Sequence, residues 1–113
     1  MTDQTIETIE TEFPEMTTAF KQIQLDQYKL FCYKQHDYGS KNISVGTNLE
    51  TPDEIALSLT GLWFRMNDKI QRLKNLLMKN TNAVVDEPME DSFLDLSNYG
   101  IMATIVKMGK WGK

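Results

Sequence analysis

The sequence has few of the side chains on which common enzyme sites depend. Its 113 residues include one cysteine, Cys32, and one histidine, His36. A single cysteine cannot form a disulfide within the chain, and a single histidine excludes a histidine-rich zinc site. No CxxC pair, P-loop or GxGxxG motif occurs. These absences exclude disulfide-stabilised folds and the most familiar metal and nucleotide-loop sites.

The sequence also has little positive charge and no long apolar run. Twelve Lys and Arg residues stand against 16 Asp and Glu residues, so the net charge is −4. A protein that coats duplex DNA needs a basic face to displace phosphate counterions, which this balance disfavours. No apolar run approaches the roughly 20 residues of a membrane span, and the acidic first fifteen residues lack the core of a secretory signal. We therefore expect a cytoplasmic protein with no membrane segment.

The hydrophobic spacing predicts helices and shows no convincing strand alternation. Forty-one per cent of residues are hydrophobic, enough to bury a core. We predict an all-α bundle of three main helices, at about residues 15–36, 52–80 and 88–108. Residues 1–14 form an acidic N-terminal segment that frays or caps the first helix, and residues 15–113 form a single helical domain.

Turn and capping residues mark where these helices begin and end. Gly39 is a natural left-handed residue after the first helix. Thr51 is placed to be the N-cap of the second, with Pro52 in its first turn and Glu54 completing a capping box. Pro88 is expected in the first turn of the third helix, capped by Asp86 or Glu87.

The second helix is long for a small domain. At 1.5 Å per residue it extends roughly 45 Å. Helices of this length leave apolar faces that a 113-residue monomer does not fully cover. We therefore expect the bundle to be completed by homo-oligomerisation, as a dimer or tetramer.

The third helix carries an acidic row. Glu87, Asp91 and Asp95 are spaced four residues apart, so they project from one side of a helix, and Tyr99 continues the row. Asp95 has apolar neighbours, and a carboxylate buried among them without a partner is costly. This residue therefore requires Mg²⁺, an arginine or water.

The second helix offers partners for these carboxylates. Arg65, Asp68 and Arg72 lie on one face at positions i, i+3 and i+7. Three interpretations remain open: solvated rows, a structural pairing of Arg65 or Arg72 with Asp91 or Asp95, or a metal or nucleotide site. Tyr38, in the loop after the first helix, is a further candidate ligand contact.

Three motifs in order give a family resemblance. They are Asp37-Tyr38-Gly39, Arg65-x-x-Asp68-Lys69-x-x-Arg72-Leu73 and Glu90-Asp91-x-x-x-Asp95-Leu96-x-x-Tyr99. On these residues the chain resembles the phage and bacterial family called nucleotide modification associated domain type 1, over about residues 15–107. The resemblance implies a short helical protein of phage-infected or prophage-bearing cells, associated with nucleotide or DNA-base modification.

A more distant likeness connects the chain to MazG-like all-α nucleotide pyrophosphatases. Those enzymes hold Mg²⁺ with two acidic pairs on successive helices. Asp91 and Asp95 fall where the later pair is expected, at a spacing of four instead of three. The earlier pair is missing, since Asp68 lies between Arg65 and Arg72. This departure weakens the case for two-metal hydrolysis and leaves nucleotide binding as the leading expectation.

The resemblance and the charged rows together define a predicted site. In it, carboxylates hold Mg²⁺, Lys69 and Arg72 contact phosphate, and Tyr38 packs on base or sugar. We predict a nucleotide-binding protein, with Mg²⁺-dependent hydrolysis as the enzymatic version. The alternatives are a non-catalytic binder that sequesters a nucleotide or signalling ligand, and a structural subunit of a modification complex. The predicted nucleotide-binding residues are Tyr38, Arg65, Lys69, Arg72 and Tyr99, and the predicted metal ligands are Asp68, Glu87, Glu90, Asp91 and Asp95.

Overall fold

A computed structural model describes residues 3–79 and 88–113. Within those ranges there are five helices and no strand, so the predicted all-α class is confirmed. The chain divides into two compact units, residues 1–34 and 35–113. The expected division into residues 1–14 and 15–113 stays a prediction. None of the described helices is both long and apolar enough to cross a membrane.

The N-terminal segment forms a helix of its own. Helix α1 spans Gln4–Glu12, and the Asp3 carboxylate caps it by accepting hydrogen bonds from the backbone N–H groups of Thr5 and Ile6 at 2.8 and 3.3 Å. An aspartate in this position satisfies N–H groups that have no partner within the helix. The expectation of a frayed or merely capping segment is therefore wrong.

Helix α2 spans Pro14–Tyr38, close to the predicted 15–36. Its first residue is proline, whose missing N–H costs nothing in a first turn. It ends at Gly39, which has a φ of +76° and whose N–H bonds to the Gln35 carbonyl at 2.8 Å. Cys32 is exposed on this helix.

A short helix, α3 at Lys41–Ser44, lies between the first and second of the three predicted helices. It packs on α4, where the Ser58 hydroxyl donates to the Ile43 carbonyl at 2.8 Å. Both residues are buried. Because Ser58 is small and has a hydroxyl, it lets the two backbones approach and satisfies a carbonyl there.

Helix α4 spans Pro52–Lys79 and begins with the predicted capping box. The Thr51 hydroxyl accepts from the Glu54 N–H at 3.2 Å, and the Glu54 carboxylate accepts from the Thr51 N–H at 3.1 Å. The helix runs through Gly61 without interruption.

Helix α5 spans Met89–Lys107, within the predicted 88–108. Pro88 is its N-cap and not a first-turn residue, and no side chain caps it by a hydrogen bond. Asp86 and Glu87, the predicted caps, lie outside the described residues. A Cβ at Gly100 would meet nothing within 4 Å.

Helices α4 and α5 form an antiparallel hairpin that holds most of the core. An ion pair joins Lys69 to Asp95, and a hydrogen bond joins Arg72 to Ser92. A step of three residues towards the C-terminus of α4 thus corresponds to a step of three residues towards the N-terminus of α5, which is the antiparallel arrangement. After α5, the Trp111 indole N–H donates to the Ser40 carbonyl at 2.7 Å. The buried hydrophobic residues of the described ranges all lie in the second unit: Ile43, Leu62, Leu73, Met102, Val106 and Trp111.

Candidate functional site

An ion pair joins α4 and α5 near the end of the hairpin where α5 begins. The Lys69 ammonium lies 3.0 Å from a carboxylate oxygen of Asp95, and the two side chains are 30% and 22% exposed. This Asp95 carboxylate is the one that the sequence marked as costly to bury. Its burial is offset by the positive charge of this lysine.

A second polar contact lies one turn further along the same hairpin. The Arg72 guanidinium donates to the Ser92 hydroxyl at 2.6 Å, and Ser92 is almost completely buried. Ser92 is in the first turn of α5, where a small side chain lets the arginine reach across. We call Lys69, Arg72, Ser92 and Asp95 the interhelical polar cluster.

The interhelical polar cluster has an excess of positive charge. It contains two cationic groups, one carboxylate and one hydroxyl, so its formal charge is +1. Partial burial strengthens its charge interactions relative to fully exposed pairs, which contribute little. An arginine and a lysine one turn apart suit an anion with several oxygens, because the guanidinium offers a planar fork and the ammonium a point charge.

The contacts across the hairpin involve a lysine as well as an arginine. Asp95 is bound by Lys69, and Arg72 contacts Ser92. The Arg65 guanidinium donates to the Asn42 carbonyl at 3.3 Å, which connects α4 to α3. The register of α5 against α4 places Lys69 opposite Asp95.

The remaining predicted residues differ in their exposure. Asp68 is exposed on α4, and Glu90 and Asp91 are exposed in the first turn of α5. Tyr99 is half-buried one turn after Asp95, and Tyr38 at the end of α2 is exposed. Glu87 lies outside the described residues.

The predicted metal ligands do not form a recognisable cation site within residues 3–79 and 88–113. No group of three or more His, Cys, Asp or Glu side chains there is arranged to hold a metal ion. Asp95, the most buried of the predicted ligands, faces an ammonium group. Mg²⁺ keeps several water ligands and is held in proteins by one or two carboxylates, so the magnesium site stays a prediction.

Two residues of the site were missed by sequence reasoning. Ser92 accepts the hydrogen bond of Arg72, and Asn42 accepts that of Arg65. Ser92 had a usable signal, since it is a small polar residue next to the apolar Phe93 and Leu94 in a helix expected to pack. No sequence signal marked Asn42, because its carbonyl is brought near α4 by the short helix α3.

The fold and the cluster define the class of protein: an antiparallel helical hairpin with a half-buried, positively charged polar cluster between its helices. Residues 34–107, which include the whole hairpin, match the family model Nucleotide modification associated domain 1. The chain therefore belongs to this family. No curated protein and no solved structure matches the chain.

Proposed function

We propose that this chain binds a phosphorylated nucleotide and acts in nucleotide or DNA-base modification. The observation that carries the proposal is the interhelical polar cluster, a half-buried arginine and lysine on one side of a helical hairpin. The cluster lies within the residues that match a family named for nucleotide modification. The cytoplasm of a phage-infected or prophage-bearing bacterium, expected from the sequence, belongs to the same proposal.

In this proposal the phosphate competes with Asp95 for Lys69. A phosphate group carries more negative charge than one carboxylate and offers three acceptor oxygens. It therefore engages Lys69 and Arg72 together, while Ser92 holds the guanidinium in place. Charge-assisted hydrogen bonds contribute roughly 1.5–3 kcal/mol each, enough to offset a displaced Lys69–Asp95 contact.

The base or sugar is assigned to the aromatic residue next to the cluster. Tyr99 follows Asp95 by one turn of α5 and is half-buried. A ring in that position stacks on a base while its hydroxyl stays near water. Tyr38 remains a prediction, since none of the hydrogen bonds or ion pairs of the described residues connects it to the cluster.

Magnesium binding and hydrolysis are carried by the sequence. The described residues contain no group of three or more ligating side chains, so we derive no chemical step through the metal. The likeness to MazG-like pyrophosphatases rests on the sequence alone. Both points are tested by adding Mg²⁺ to a binding assay and by measuring pyrophosphate release.

The binding experiment is a calorimetric titration of the full chain with deoxynucleoside mono- and triphosphates, each with and without Mg²⁺. We expect at least one phosphorylated ligand to bind and the matching nucleoside not to bind. Arg72→Gln should weaken binding by about tenfold, the equivalent of roughly 1.4 kcal/mol. Lys74→Gln, which changes an exposed lysine of the same helix, is the matched control. Absence of binding by all phosphorylated ligands, or equal loss in both variants, would overturn the proposal.

The second candidate function is that of a structural subunit, in which the cluster only stabilises the packing of α4 against α5. The existing Lys69–Asp95 ion pair favours it, because that lysine already has a partner. The two functions differ in what Arg72→Gln changes. A structural role predicts lower stability with no ligand response in either form, whereas a binding role predicts a ligand-dependent rise in Tm that the variant loses.

A further inference from the structure

The contact seam between α4 and α5 is apolar in one half. The two side-chain contacts of the interhelical polar cluster set the antiparallel register of these helices. Followed towards the start of α4, that register places Leu62 opposite Met102 and Ser58 opposite Val106. All four residues are buried, and none is more than 7% exposed. A ligand bound along the hairpin therefore cannot extend into this half.

The other half of the seam is charged. Arg65, Lys69 and Arg72 follow one another on α4 at intervals of four and three residues, which places them in one stripe. The register places Tyr99 opposite Arg65, and one of the three opposing residues of α5 is a carboxylate, Asp95. These seam positions therefore have a formal charge of +2. Charged groups hold two helices together no better than apolar ones, since removing them from water is costly, so this half favours a ligand role.

The residues where the seam changes character suit a nucleobase. The Arg65 guanidinium is held by the Asn42 carbonyl at 3.3 Å, and Tyr99 is half-buried on the opposing helix. Guanidinium planes and tyrosine rings both stack on bases. A base at this level of the hairpin therefore has a stacking group on each helix.

The stretch from this base position to the cluster accommodates one sugar and one phosphate. Tyr99 and Ser92 are seven residues apart on α5, about 10 Å along the helix axis. A phosphate between Lys69 and Arg72 meets both cations, and its charge of about −2 matches that of the seam. The sugar then lies beside Asp95, whose carboxylate, released by Lys69, accepts a hydrogen bond from a sugar hydroxyl.

Carboxylates follow at the far end of the charged half. Beyond Arg72 and Ser92, the first turn of α5 carries the exposed Glu90 and Asp91. Their two negative charges exceed the roughly half positive charge of a helix N-terminus. The next cation of the α4 stripe, Lys79, lies seven residues beyond Arg72, about 10 Å along the axis. A second phosphate therefore meets carboxylates before it meets another cation.

We infer that the ligand of this site is a nucleoside monophosphate, and that Asp91 discriminates against the corresponding di- and triphosphates. The inference rests on the proposed nucleotide binding and adds the number of phosphates to it. Asp91 precedes Asp95 by one turn on the same side of α5, so its carboxylate lies on the path of a second phosphate.

The test is a calorimetric titration of the full chain with the mono-, di- and triphosphate of each nucleoside, with and without Mg²⁺. Without Mg²⁺ we expect the monophosphate to bind about fivefold more tightly than the triphosphate, because like charges brought together cost affinity. Asp91→Asn should reduce that ratio to less than about twofold. The matched control is Asp53→Asn, which removes an exposed first-turn carboxylate of α4 and should leave the ratio unchanged. A thermal melt of each variant confirms that it is folded.

The failure of this inference is distinguishable from that of the proposed function. A triphosphate that binds as tightly as the monophosphate without Mg²⁺, or more tightly with it, overturns the inference and leaves nucleotide binding intact. An unchanged ratio in Asp91→Asn, or an equal change in Asp53→Asn, overturns the role of Asp91. Absence of binding by every phosphorylated ligand overturns the proposed function and this inference with it.

Discussion

Lys69 and Asp95 restrain one another across the hairpin, at 3.0 Å and with both side chains largely buried. Lys69→Met should lower the free energy of unfolding by about 1–2 kcal/mol, between the values for exposed and fully buried pairs, because it leaves a half-buried carboxylate without its cation. Lys74→Met on the same helix should change it by less than about 0.5 kcal/mol. Urea unfolding measures the free-energy change of both variants.

A double-mutant cycle separates this ion pair from the packing of the lysine stem. Adding Asp95→Asn to Lys69→Met should cost less than the sum of the two single changes, with a coupling of about 0.5 kcal/mol or more. Strict additivity would show that the 3.0 Å contact contributes nothing to stability.

Two glycines should respond to alanine with opposite signs. Gly39 has a φ of +76° at the end of α2, where a Cβ is strained. Gly100 lies inside α5 with no atom within 4 Å of a Cβ position. We expect Gly39→Ala to cost about 1 kcal/mol and Gly100→Ala to stabilise the protein by about 0.5–1 kcal/mol. Thermal unfolding decides this, and a loss with Gly100→Ala would reveal a neighbour at that surface.

At the scale of the element, the start of α4 depends on its capping box. Thr51→Ala removes the acceptor of the Glu54 N–H and should cost about 1 kcal/mol. Thr60→Ala is the control. Alanine is a better helix former than threonine in the interior of α4, so this change should slightly raise the free energy of unfolding. Equal effects of the two substitutions would mean that the cap contributes nothing.

The same capping box makes stability depend on pH. Hydrogen bonds from the backbone N–H of Glu50, and then of Thr51, lower the pKa of Glu54 despite some desolvation. A carboxylate with a lowered folded-state pKa adds stability above its ordinary pKa, about 4.3, and loses it as the pH falls through the lower folded value. Glu54→Gln should therefore be less stable than wild type at neutral pH, and the difference should vanish in acid. An NMR titration of the Glu54 carboxyl measures the pKa directly.

The long helices were predictable from local signals, because Pro14, Gly39 and Thr51 act through their own backbone. Helix α1 was missed, although Asp3 is a good cap and Ile6 and Ile9 are correctly spaced, because its acidic composition suggested a solvated tail. The contacts of the interhelical polar cluster were not predictable. A spacing of four places side chains on one face of a helix, but the register between two helices depends on how their buried residues fit, and one turn decides which cation meets Asp95.

For the molecule as a whole, the buried apolar residues lie in one of the two units. Every buried hydrophobic residue of the described ranges lies in residues 35–113, and the family match covers residues 34–107. Among the described residues of the first unit, only Gln27 is buried. The second unit therefore contains the apolar core that a cooperative fold needs.

This division predicts that residues 35–113 fold without the first unit. The α4–α5 hairpin, α3 and Trp111 all remain in that fragment, so its core is complete. We expect it to keep its helical circular dichroism and a cooperative thermal transition. The control fragment 1–79 keeps α1 to α4 and lacks α5, so Leu62 and Leu73 lose their partner helix and no cooperative transition should remain. A gradual, non-cooperative melt of residues 35–113 would show that the first unit is part of the folding core.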